Sequence, residues 1–227
     1  MLLETILDTV RYGELNNISI DDEKIPQIIS YINLGLIQLY SKYPVQEKQV
    51  IIQQYPQISM YVLDPKYARS NRVSNAPHKY ILDTPDDPFT GDVMFITGIC
   101  DEWGIPRPLN DDHSPRSYFL VSHNTLQIPN ANEHESTFVI YRAKPRIVNP
   151  KQYDPMEYIE LPEYLLEPLT TYVGYKAMQA LGSQEGVQQA QAMLERFNML
   201  CQEINANNLM GNNVSPSNIK LGMRGFK

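Results

Sequence analysis

Asp111, Asp112 and His113 are the closest approach in this chain to a cluster that does acid–base or metal chemistry, with Asp101 and Glu102 a few residues upstream. A zinc or catalytic centre needs ligands held on rigid elements and oriented from behind. This triplet instead lies between Pro108 and Pro115, where Asn and Asp are favoured for turn geometry alone, so turn chemistry is the expected reading and a cation site or catalysis the alternatives. His78, His123 and His134 are scattered through other loops, and Cys100 and Cys201 stand far apart in no metal-ligand spacing. The cysteines are expected to be free buried thiols or a pair, in keeping with a reducing compartment. No phosphate loop, dinucleotide fingerprint or nucleophile elbow occurs. Trp103 and the Tyr-rich segments suit a sugar-stacking platform or, more simply, core and interface packing. The expectation is a protein with no cofactor, no metal and no enzymatic activity.

The chemistry that does stand out is amide chemistry on a helix. Val187, Ala190, Leu194, Phe197, Cys201 and Ile204 recur at spacings of three and four and define one apolar face. Opposite them, Gln184, Gln188, Gln189, Gln191, Asn198, Gln202 and Asn205 form a largely uncharged surface. A solvated helix ordinarily carries Glu and Lys there, so this face is expected to meet another polypeptide. The preceding helix is expected to open at Pro162 and to bury Leu165 or Leu166, Leu169, Val173, Ala177 and Leu181. Gly182 suits the position just past its end, and Ser183 suits the cap of the next helix. Gly174 sits mid-helix, where Gly is costly, and predicts close approach of a neighbouring backbone. Gly174, Leu194, Phe197 and Ile204 are therefore the expected helix-packing positions.

The N-terminal part reads as a short helix over 2–11, a linker from Asn16 to Ile20, and a longer helix that begins at Asp21 or Asp22 and stops at Pro44. Its buried face is Ile25, Ile28, Ile29, Ile32, Leu36, Leu39 and Tyr40. The period then changes. Short β-rich runs occupy 49–55, 58–63, 93–99, 118–121, 125–128 and 138–143, with a Pro-rich loop over 64–91 that has room for one helical turn. His123-Asn124 suits a tight hairpin because Asn tolerates positive φ. The expected fold is α+β: a small helical bundle from 1–45 and 145–208, an inserted antiparallel β-rich domain over 46–144, and an extended tail over 209–227.

Charge bounds the partners. The formal charge is −7, against a protein that grips nucleic acid. Lys220, Arg224 and Lys227, with no acid beside them, give the tail +3, which leaves −10 on the rest. In the tail Ile219, Leu221 and Met223 alternate with Lys220, Gly222 and Arg224, and Phe226 follows, a pattern suited to docking on a sheet edge. The start, Met1-Leu2-Leu3-Glu4, lacks the basic and long apolar regions of a signal peptide, and no run approaches the roughly 18 apolar residues of a membrane span.

Three stretches carry a family resemblance: Ile32-Asn33-Leu34-Gly35-Leu36 through Leu39-Tyr40 and Tyr43-Pro44; Ile99-Cys100-Asp101-Glu102-Trp103-Gly104 through Pro108-Leu109-Asn110-Asp111, with Tyr141-Arg142-Ala143; and Leu161-Pro162-Glu163-Tyr164-Leu165 leading to Tyr172, Val173 and Tyr175-Lys176-Ala177. In this order they resemble the head-to-tail connector, or adaptor, proteins of tailed bacteriophages, of the tail tubular protein A type of short-tailed phages. The resemblance covers most of 25–208 and rests on loose patterns. It implies a structural virion protein, assembled in the host cytoplasm, whose copies form a ring, usually of twelve. Its implied partners are the portal protein, the tail nozzle protein and further copies of itself, with genomic DNA passing through the channel unbound. Another neck or baseplate protein, or a carbohydrate-binding module, are the alternative expectations.

Overall fold

The computed structural model describes residues 1–16, 21–207 and 209. The chain is mixed α+β, its described residues forming four α-helices and two antiparallel sheets. It divides into two units, one formed by Met1–Val45 and the described chain from Pro145 on, the other by Gln46–Lys144. The expected docking positions of the tail, Ile219, Leu221, Met223, Arg224 and Phe226, lie outside the described residues, as do residue 208, the rest of the chain beyond 209 and 17–20 of the N-terminal linker.

The helical unit holds α1 (Leu3–Tyr12), α2 (Ile25–Lys42), α3 (Leu166–Ala180) and α4 (Gln184–Ala206). Helix α3 touches each of the other three. It is accordingly buried on several sides, through Leu169, Thr171, Val173, Gly174 and Met178. Helix α1 has no side-chain cap at Leu2. Its first free N–H groups go instead to the returning chain, Leu3 N to Glu157 O (2.9 Å) and Glu4 N to Pro155 O (2.9 Å), which meets the need that every helix start creates. Helix α2 buries Ile28, Ile29, Ile32, Leu36, Leu39 and Tyr40 as its spacing predicts, while Ile25 stays half-exposed. Asn33 is buried among them. Its Nδ2 donates to Val148 O (2.8 Å) and its Oδ1 accepts from Val148 N (3.0 Å).

Three expectations for the last two helices are corrected. Helix α3 starts at Leu166, after a 3-10 turn over Glu163–Leu165, and not at Pro162. Pro168 explains this: it lacks an N–H and clashes with a preceding turn, so the helix must begin just before it. Leu181 is 54% exposed and Met178 is buried in its place. Steps of four residues overshoot a full turn by about 40°, so the run from Leu165 rotates away from the core before it reaches Leu181. Val187 is 55% exposed and Leu194 only half-buried, while Gly186 joins Ala190, Phe197, Cys201 and Ile204 in the buried face. Alternating steps of three and four drift by about 20° per seven residues on a straight helix, which carries the early members of the stripe off the contact. The junction itself forms as its residues predict. Gly182 takes φ 66°, and Ser183 Oγ accepts from Gly186 N (3.0 Å).

In the β unit, β1 (Glu47–Gln53), β3 (Ile81–Leu82), β4 (Val93–Cys100) and β7 (Ser136–Ala143) form a four-stranded sheet in the order β3-β1-β7-β4. A second sheet holds β2 (Met60–Val62), β5 (Phe119–Ser122) and β6 (Thr125–Gln127) in the order β2-β6-β5. Strand β7 alternates strictly, with Thr137, Val139, Tyr141 and Ala143 buried, as a strand with one face on a core requires. Residues of both sheets share that core, among them Val50, Ile52, Tyr61, Tyr80, Ile96, Leu126 and Val139. Buried Gln54 ties it together: Nε2 donates to Thr137 Oγ1 (2.9 Å) and Tyr118 Oη (3.2 Å), and Oε1 accepts from Asn132 N (2.9 Å).

The segment 64–91 is more ordered than a loop. It contains one 3-10 turn, Pro65–Tyr67, and strand β3, which pairs Ile81 with Ile52 and Leu82 with Ile51. Asp83 clamps it, accepting from Ser70 N (2.8 Å), Ser70 Oγ and Phe89 N (2.9 Å). Burial by itself raises the Asp83 carboxyl, but these hydrogen bonds outweigh it and hold the group below its ordinary value. The β5–β6 hairpin closes through His123-Asn124 as expected, although the left-handed conformation falls on Asn110 (φ 55°) and not on Asn124.

Candidate interaction surface

Helix α4 positions the amide surface. All seven amides expected to face outward, Gln184, Gln188, Gln189, Gln191, Asn198, Gln202 and Asn205, are exposed. At 3.6 residues per turn, Gln184, Gln188, Gln191, Asn198 and Gln202 fall in one stripe along the helix, opposite the buried Phe197 side. Exposed Val187 and Met199 (55% and 57%) flank that stripe on its two sides. Glu195 is the acid within it, and Gln191 Nε2 donates to its Oε1 at 3.0 Å. A strip of amides with a single acid and apolar shoulders costs less to desolvate than a charged face and offers paired donors and acceptors, which is the chemistry of a protein contact.

A packed core lies beneath the strip. Phe197 is buried against Tyr172 (ring centroids 5.3 Å apart), and Tyr43 donates from Oη to Cys201 O (3.0 Å). Burial, together with the contact to Cys201, raises the Tyr43 phenol. Arg196 reaches out of α4 to Glu14 (3.1 Å) and Glu167 (2.8 Å), joining it to α3 and to the end of α1. Ile204 is buried and Leu194 half-buried. Gly174 does mark a close approach, but its neighbours are side chains and not a backbone: a Cβ there would lie 2.9 Å from Met193 Sδ and 3.0 Å from Glu14 Cβ.

The sequence singled out Gly174 and passed over Gly35, which is more tightly enclosed. A Cβ on Gly35 would lie 2.5 Å from Leu169 Cδ1 and 3.2 Å from Tyr172 Cδ1. A glycine inside an otherwise apolar helix was the available signal, the same one that marked Gly174.

The other chemical candidates resolve into structure. Asp111 Oδ1 accepts from His113 N (3.0 Å), and Asp111 N donates to Ser117 Oγ (2.9 Å), so this carboxylate shapes its own turn. Asp101 Oδ1 likewise accepts from Trp103 N (3.1 Å) and Ile105 N (2.8 Å). Among the described residues no three His, Cys, Asp or Glu side chains converge on a metal-sized site, and no helix is long and apolar enough to cross a membrane. Cys100 and Cys201 are free and buried. Burial, then the charge of Asp101, raises the Cys100 thiol and keeps it a poor nucleophile. Trp103, by contrast, is 72% exposed.

No protein-family model matches the chain, and no curated protein matches it.

Proposed function

We propose that this protein is a structural component of a phage virion, an adaptor whose copies close into a ring between the portal and the tail nozzle and continue the DNA channel. In this reading the helices form a small ring-building bundle, the β unit is its insertion, and the tail from 209 docks on a neighbour. The observation that carries it is the exposed amide strip of α4 with its apolar shoulders Val187 and Met199. A closed ring needs two different, complementary faces on every subunit, and this strip supplies one of them. The −10 carried by the chain outside its tail suits a channel that DNA slides through, since few phosphate contacts form and few must break.

The test is recruitment. The isolated protein should sediment as a monomer or weak oligomer at micromolar concentration. Added to rings of its own phage's portal, it should co-sediment and appear as a second ring in electron micrographs, each subunit contact burying about 1,000 Å² or more. Replacing Val187 and Met199 together by Asp should leave the monomer folded and prevent ring closure. Deleting 212–227, or combining Leu221→Asp with Phe226→Asp, should weaken portal attachment without changing the melting of the free protein. Failure of the parent protein to join the portal, or a dimer that resists dilution, would overturn the reading.

A further inference from the structure

The β unit carries an open cleft of about 420 Å³ whose walls include Trp103, Arg107, Arg116, Tyr118, Asn130 and Glu135. Two of these wall residues, Trp103 and Arg107, are tied to a buried carboxylate. The Asp101 carboxylate, 8% exposed, fixes the turn that carries Trp103 by accepting from Trp103 N and Ile105 N. The other oxygen of the same carboxylate lies 3.4 Å from Arg107 Nη2. One buried acid thereby holds both the turn that carries Trp103 and the Arg107 guanidinium.

Two features of the cleft lack partners. Arg107 Nε is buried and has no hydrogen-bond acceptor among the described residues, a donor left unmet at a cost of about 1–3 kcal/mol. Arg116 is exposed and forms no ion pair among the described residues. Guanidinium groups match carboxylates in a planar, two-pronged fit. The exposed indole offers a flat apolar face, suited to the C–H face of a pyranose ring. Asn130 and Glu135 supply a donor and acceptors for hydroxyl groups; Glu135 Oε1 is engaged by Asn132 Nδ2 (3.2 Å), and its Oε2 holds no hydrogen bond among the described residues.

We propose that this cleft binds a carboxylated sugar, a uronate-type residue of an acidic glycan, with the ring on Trp103, the carboxylate at Arg107 and Arg116, and the hydroxyls at Asn130 and Glu135. A nucleic acid fits less well. Residues 46–144 carry nine Lys and Arg against twelve Asp and Glu, and Glu135 in the cleft wall repels a second phosphate. The site stands independently of the adaptor reading, because it lies wholly on the β unit and needs no ring.

Trp103 is the chain's only tryptophan, so its fluorescence reports on this cleft alone. Titrating the full-length protein with tri-galacturonate should give a saturable fluorescence change with a Kd of about 0.1–1 mM. Neutral maltotriose should bind at least about tenfold more weakly. Arg116→Ala, a surface change, should reduce tri-galacturonate affinity by about tenfold and leave the helical signal and melting intact. Trp103→Ala, followed by calorimetry, should abolish binding. The proposal is overturned by the absence of a saturable change up to about 10 mM, by equal affinity for maltotriose, by an Arg116→Ala variant that binds like the parent, or by tighter binding of pentathymidylate than of tri-galacturonate.

Discussion

Gly174 shows how much rests on one missing methyl group. It lies in the middle of α3, where Ala would be favoured by about 1 kcal/mol on helix propensity alone. Its Cβ, however, would press on Met193 Sδ at 2.9 Å and Glu14 Cβ at 3.0 Å. Met193 is flexible at that end and can yield to a methyl group, while Glu14, held by Arg196, must give slightly, so the propensity gain is offset and Gly174→Ala should be close to neutral. Gly174→Leu has no such escape and should cost about 1–3 kcal/mol through overpacking. Adding Met193→Ala to Gly174→Leu should recover part of that loss, because the two side chains compete for the same space. Chemical denaturation followed by circular dichroism decides it. If Gly174→Leu unfolds at the same denaturant concentration as the parent, α3 is not tightly enclosed at this point.

At the scale of elements, α2 is joined to the chain that returns from the β unit by Asn33, and again by Tyr40, whose Oη donates to Glu160 O (2.6 Å). Asn33 makes both hydrogen bonds that Val148 has to offer on its backbone, and all the groups involved are buried. Asn33→Ala would leave the Val148 N–H and C=O without partners, each at about 1–3 kcal/mol, so a total loss of about 3 kcal/mol is expected. The midpoint in urea should fall while its steepness is unchanged, since the surface exposed on unfolding is nearly the same. A loss below about 1 kcal/mol would mean that the returning segment is held by its apolar contacts instead. This bond was not legible in the sequence. A polar residue on the buried side of α2 is visible there, but its partner is 115 residues away.

At the scale of the whole molecule, both units bury tyrosines whose phenols are pushed toward the neutral form. In the helical unit burial, and then the charge of Glu160, raises Tyr40 from 10.0 to about 12, and burial also raises Tyr43. In the β unit burial is the leading cause for Tyr61, Tyr80 and Tyr141, all raised. A raised folded value means that the stabilisation is fully present below the unfolded value and is lost as pH climbs toward the folded one. The midpoint of denaturation should therefore be insensitive to these groups at neutral pH and fall steadily from about pH 10 to pH 12. Tyr40→Phe should flatten that fall for the helical signal. A parent protein whose stability does not change over that range would show that these phenols ionise as easily folded as unfolded.

Local physics made much of this protein legible from its residues. The helix positions, the Gly182–Ser183 junction and the alternation of β7 follow from capping and periodicity, which act over a few residues. The amide strip was legible for the same reason, since a helix sorts its own residues onto faces. Four things depended on tertiary structure. Val187 and Leu181 proved exposed because the position of the contact, not the spacing of apolar residues, decides which side of a helix is covered. Strand β3 formed in a Pro-rich segment because β1 offered an edge and Asp83 a clamp. Gly35 proved the tighter glycine because α3 packs against it. Arg107, Arg116 and Glu135 came together with Trp103 because the β unit folds distant turns onto one cleft. Each is a matter of which surfaces meet, and chain neighbours alone carry no record of that.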